Sequence, residues 1–145
     1  MLRQLAVLFI FALFAVGSPA QETNQETNKE QGNTPAEAVS RKNPIKPTAS
    51  SIAAGKKVFT VDCEMCHGEQ GDGKGEVAVS MKLAPPDFRD ETAMKKFTDG
   101  ELFDIISNGK GGMPAEGKRA SENQIWDLVN YVRSFAKKAP PPAAK

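Results

Sequence analysis

The sequence predicts an all-α domain. Three segments repeat apolar residues at three- and four-residue steps, each opens on a side chain able to cap a helix, and no run alternates long enough for a strand. The first segment runs from a Ser50/Ser51 cap through Ile52, Gly55, Val58 and Phe59 to the region of Cys63. Gly55 costs its helix about 1 kcal/mol relative to alanine, which suits a place where another helix approaches closely. The second segment opens at Thr98 with Glu101 as reciprocal cap. It carries Leu102, Phe103, Ile105 and Ile106, and stops at Asn108-Gly109. An Asn-Gly pair also suits a hairpin, but no alternating strand follows it. The third opens at Ser121 with Gln124 in the reciprocal position and sets Ile125, Leu128, Val129, Val132 and Phe135 on one face. Val77, Val79 and Met81 alternate only briefly between glycine-rich and proline-rich flanks, which predicts a loop or a brief helix.

The ends of the chain read differently. Residues 1–20 form a predicted signal peptide: Arg3, an unbroken run of twelve apolar residues from Leu5 to Val16, then small residues at Ser18-Pro19-Ala20. Twelve residues fall short of the roughly 20 that cross a bilayer. Export to a bacterial periplasm is expected, with a membrane tether only if the leader stays uncleaved. Residues 21–50, which open with two copies of Gln-Glu-Thr-Asn and contain almost no large apolar side chain, predict a flexible polar linker. Residues 139–145 predict a solvated Pro/Ala-rich tail. One domain remains, at residues 51–138. Its 13 Lys and Arg against 14 Asp and Glu give a net of −1, leaving no basic excess for nucleic acid.

Cys63-Glu64-Met65-Cys66-His67 contains both cysteines and the sole histidine of the chain. Cys-x-x-Cys-His is the spacing of covalent haem attachment, in which two thiols bond one porphyrin and the adjacent imidazole becomes an iron ligand. A structural zinc site needs a fourth ligand that no second cluster supplies. A redox dithiol needs a βαβ context, and a disulfide over two intervening residues would close too small a loop to stabilise much. A domain this small has a marginal core, so a covalent haem c, one per chain, would contribute apolar bulk as well as function.

His67 leaves one axial position on the iron for methionine, lysine, another donor or none. Met65 lies between the thioether cysteines, on the wrong side of the ring. Of Met81, Met94 and Met113, the first two read as core filler. Met113 stands in Gly111-Gly112-Met113-Pro114 between the second and third helices, where glycines allow close approach and Pro114 stiffens the loop. It is the expected distal ligand. The glycines at 68, 71, 73 and 75 match neither phosphate-binding pattern and predict a loop around the porphyrin edge. Lys82, Lys110, Lys118 and Arg119 flank that edge as docking residues or as ordinary solvated cations.

In order, the chain presents Cys63-x-x-Cys66-His67-Gly68, Pro85-Pro86-Asp87-Phe88, Thr98-Asp99-Gly100-Glu101-Leu102-Phe103, Asn108-Gly109, Gly112-Met113-Pro114, and Ile125-Trp126-x-Leu128-Val129-x-Tyr131-Val132-Arg133. The pattern resembles a class I monohaem cytochrome c over nearly all of residues 51–138. The resemblance implies three to five helices around one haem in a crevice, with His67 and Met113 as axial ligands. It also implies that Gly55 and Phe59 cross against Leu128 and Tyr131. The family orients its histidine through a backbone carbonyl near a proline after the motif; no proline precedes Pro85 here, so no acceptor is named.

The function expected is one-electron transfer, not enzymatic bond-making, because no spare histidine or free cysteine remains. Partners would be a dehydrogenase or membrane complex on one side and an oxidase or reductase on the other. Two alternatives stand beside it: an electron-transfer subunit of a membrane redox complex, or a haem enzyme or sensor with an open iron site.

Overall fold

The computed structural model describes residues 35–138; the expected signal peptide, the first part of the expected linker and the expected tail lie outside them. The helices are α1 (Pro35–Ser40), α2 (Ala49–Val58), α3 (Glu64–His67), α4 (Glu76–Ser80), α5 (Glu91–Met94), α6 (Asp99–Asn108) and α7 (Glu122–Lys138), with a π-helical turn at Phe59–Cys63 between α2 and α3. The described residues contain no strand, only an isolated bridge between Lys110 and Met113. The three expected helices are the longest ones. The count exceeds three to five because α1, α3, α4 and α5 are pieces of four to six residues. Such pieces are too short for sequence periodicity to reveal.

Local chemistry explains the ends. Thr98 accepts from Glu101 N while the Glu101 carboxylate takes Thr98 N, a complete capping box for α6. Ser121 and Gln124 reciprocate in the same way before α7. α2, by contrast, starts earlier than expected: its cap is Thr48, whose hydroxyl accepts from Ser51 N at 3.2 Å. Ser51 is buried instead, its hydroxyl accepting from Asn130. The segment around Val77 to Met81 is the brief helix α4, followed by a turn.

α2 crosses α7 at Gly55. A Cβ there would come within 2.1 Å of the Asp127 carbonyl oxygen, so only hydrogen lets the backbones approach this closely. One turn on, the Phe59 ring meets Tyr131 at 5.2 Å and Phe135 at 5.3 Å, edge-to-face and tilted. This is the crossing the family resemblance implied. Phe59, Ile125, Trp126, Leu128 and Val129 are fully buried around it.

The flexible linker expected at 21–50 does not hold for its second half, which is helical at α1 and then packs as a strap over α6 and α7. The Ala38 carbonyl sits where a Cβ on Gly100 would be, 2.0 Å away. The Arg41 guanidinium lies 4.0 Å over the Phe103 ring and 5.2 Å over Trp126, with Glu122 as ion partner. Asn43 donates to Trp126 O and Asn130 Oδ1, and Asn130 in turn donates to Ile45 O. The strap adheres largely through backbone, amides and a guanidinium, with Ala38 buried and Ile45 packed against the core. A reading that counts only large apolar side chains misses such contacts.

Candidate functional site

The π-helical turn sets up the site. Widening one turn at Phe59–Cys63 lets the chain restart as α3 with Glu64 N donating to Phe59 O. Cys63, the N-cap of that helix, and Cys66 within it stand three residues apart and so share a face. His67 ends α3, and Gly68, at φ 76°, turns the chain away. Cys63, Cys66 and His67 all line one cavity of about 530 Å³.

The remaining walls come from three places. They are Leu83, Ala84, Pro85, Pro86 and Phe88 between α4 and α5, Leu102, Ile105 and Ile106 of α6, and Leu128 and Val132 of α7. Met113 lines the cavity from the loop between α6 and α7. Lys110 N donates to Met113 O at 3.2 Å and Met113 N to Lys110 O at 3.0 Å, closing a two-residue Gly111-Gly112 turn. Gly111 stands at φ +58° in that turn, and Gly109, at φ +74°, leaves no room for a Cβ beside the Met113 carbonyl. The lining is overwhelmingly apolar, a shape and chemistry suited to a flat hydrophobic ligand.

The sequence-predicted methionines separate clearly. Met81 is 64% exposed and outside the cavity, while Met65 is exposed at its mouth. Met94 also lines the cavity, but within the packed floor, with its carbonyl held by Arg133. Met113 alone combines a cavity position with a loop.

Burial lowers the His67 pKa from the ordinary imidazole value, which keeps the ring neutral with a lone pair available to a metal. Its Nδ1 is buried and has no hydrogen-bond partner among the described residues. The ring is oriented instead by Phe88, stacked on it at 4.6 Å. The Cys63 thiol is pushed up to about 12 by burial, then by the nearby carboxylates of Glu116 and Asp62, so it stays protonated in the folded chain.

Arg119 is not a free docking cation. Its guanidinium bonds Glu116 and Asp62, both of which line the cavity. Lys110 does reach the cavity lining, while Lys82 and Lys118 are exposed. Sequence reasoning gave no role to Asp62 or Glu116. The i,i+3 spacing of Glu116 and Arg119 was a visible signal of a pair, but nothing in it announced burial. Two thiols able to bond a porphyrin, with a neutral imidazole and a thioether able to coordinate its iron, around an apolar cavity fit an iron porphyrin.

Residues 50–132 match a family model described as cytochrome c oxidase, cbb3-type, subunit III. The chain is 36% identical to a cytochrome c6 of Gloeothece citriformis over 93 residues, 62% of this chain and 76% of that protein. It is 31% identical to the cbb3-type cytochrome c oxidase subunit CcoP of Azospirillum brasilense over 109 residues, 74% of this chain but only 36% of that longer protein. Among solved structures, the KustC0563 c-type cytochrome shares the fold at a TM-score of 0.51 and 24% identity, covering 56% of this chain and 95% of that one.

Proposed function

The chain belongs to the c-type cytochrome family whose model is described as cytochrome c oxidase, cbb3-type, subunit III, and on that premise we propose that it is a one-electron carrier whose haem is held by Cys63, Cys66, His67 and Met113. The observation that carries this reading is their convergence on one apolar cavity. Cys63 and Cys66 would supply the two thioether bonds, His67 the proximal nitrogen and Met113 the distal sulfur. The haem supplies a metal centre that gains and loses one electron without bond rearrangement.

The residues of the chain do the rest. His67 is kept neutral by burial and steered by Phe88. The apolar walls exclude water and favour the less charged, reduced state, as does a neutral thioether donor. Met65 and Leu83 border the cavity mouth on the solvent side, where an electron could pass to a partner. Redox partners would be an exported or membrane dehydrogenase or complex and an oxidase or reductase. Export through residues 1–20 belongs to the same reading; no helix among the described residues is long and apolar enough to cross a membrane.

The oxidised, haem-loaded protein tests it. The weak far-red band of methionine-ligated ferric haem is expected, lost in Met113→Ala and kept in Met94→Leu. A high-spin spectrum with rapid cyanide or CO binding in the wild type would instead establish an open iron site, and the carrier reading would fall.

A further inference from the structure

Arg119 joins two residues of the cavity wall, Asp62 and Glu116, from distant parts of the chain. Its Nη2 donates to Asp62 Oδ1 at 3.0 Å, next to Cys63 on the π-helical turn. The same guanidinium grips Glu116, with Nε to Oε2 at 3.1 Å and Nη2 to Oε1 at 2.5 Å. Glu116 stands three residues after Met113, and its backbone N–H is fixed to Ile106 O at 2.9 Å. The arrangement is asymmetric in burial: the Glu116 side chain is 5% exposed and the Arg119 side chain 58%.

That asymmetry gives the contact its consequence. An exposed ion pair contributes little, but a buried carboxylate that loses its partner is strongly disfavoured until it finds water or another donor. Without Arg119, the buried Glu116 carboxylate is driven toward water, and its backbone belongs to the segment that carries Met113. The arm to Asp62 fixes the same loop to the segment that bears Cys63.

We propose that Arg119, acting through Glu116 and Asp62, is a latch that holds the Met113 loop closed over the cavity. It is a positioning residue that sets the distal sulfur without touching it. The inference rests on the reading of Met113 as distal donor. It assigns a conformational role to a cation that the sequence offered for docking or as an ordinary solvated side chain.

The test uses the haem-loaded full chain in its ferric form, reading the far-red band and the rate of cyanide binding. Arg119→Ala is expected to lose much of the band and to bind cyanide at least tenfold faster, with helical circular dichroism unchanged. Arg119→Lys should recover part of both. Asp62→Ala, which removes one arm and leaves Glu116 paired, should lie between the wild type and Arg119→Ala, and it serves if the latter does not fold. Rates within twofold of the wild type and an intact band in both variants would overturn the latch while leaving the ligand reading untouched. A wild type without the band, or one that Met113→Ala matches, would overturn the ligand reading and the latch together.

Discussion

The imidazole of His67 and the ring of Phe88 lie stacked, 17° from parallel with centroids 4.6 Å apart. Phe88 in turn faces Phe135 at 6.2 Å and Phe59 at 6.4 Å, which connects the histidine to the crossing of α2 and α7. With Nδ1 unpartnered among the described residues, the plane of the imidazole is set by ring packing. Phe88 is buried, so Phe88→Ala should cost about 3–5 kcal/mol, read as a lower denaturant midpoint. Phe88→Leu should cost less yet still change the anisotropy of the ferric electron paramagnetic resonance spectrum. An unaltered spectrum in Phe88→Leu would show that the stack does not orient the ligand.

Gly55→Ala tests the helix crossing. Helix propensity alone would favour alanine by about 1 kcal/mol. The Asp127 carbonyl 2.1 Å from the new Cβ leaves no room for it, and forced separation of packed elements costs about 1–3 kcal/mol. A net loss of stability is expected by denaturant titration. A gain would mean that α7 can shift without penalty.

Acid should weaken the fold through His67. Burial holds its pKa below the ordinary 6.5, so the unfolded chain binds that proton more readily than the folded one. This stability is therefore complete above pH 6.5 and declines as pH falls below it, at up to about 1.4 kcal/mol per pH unit. A metal on the ring would act in the same direction, since protonation competes with ligation. Asp87, held below the ordinary carboxyl value of 3.8 by hydrogen bonds from Arg89, adds its own loss only in stronger acid. Urea midpoints at pH 7.5 and 5.0 should differ, with the lower value at pH 5.0; equal midpoints would refute the claim.

Arg41→Ala should destabilise the domain by about 1 kcal/mol, because the guanidinium stacks over Phe103 and Trp126. Asn43→Ala should cost more than a surface substitution, since it leaves Asn130 with a lost partner. Thermal melts of the two variants check both. A melt unchanged in either would place the strap outside the cooperative unit.

Much of this was legible in the residues themselves. Periodicity and capping chemistry are local, so α6 and α7 could be read from Thr98, Glu101, Ser121 and Gln124. The cluster from Cys63 to His67 was legible because rare residue types stand at a telling spacing. The contacts that escaped are long-range and polar. Arg119 meets Asp62 across 57 residues, and Asn43 meets Asn130 across 87. Nothing in the composition of either neighbourhood distinguishes a solvated polar side chain from one that holds two segments together. The start of α2 was misplaced because Thr48, Ser50 and Ser51 could all cap it, and only burial of Ser51 beneath Asn130 decides among them.

α6 is worked from both sides. Leu102 and Ile106 look into the cavity, while Phe103 and Gly100 carry the strap behind it, one helix diameter of about 10 Å away. The family model begins only at residue 50, so a fragment trimmed to that boundary would strip the outer support from a helix that forms the inner wall. Anyone expressing a minimal version should start no later than Pro35, or expect a looser pocket and a prosthetic group that is harder to retain during maturation.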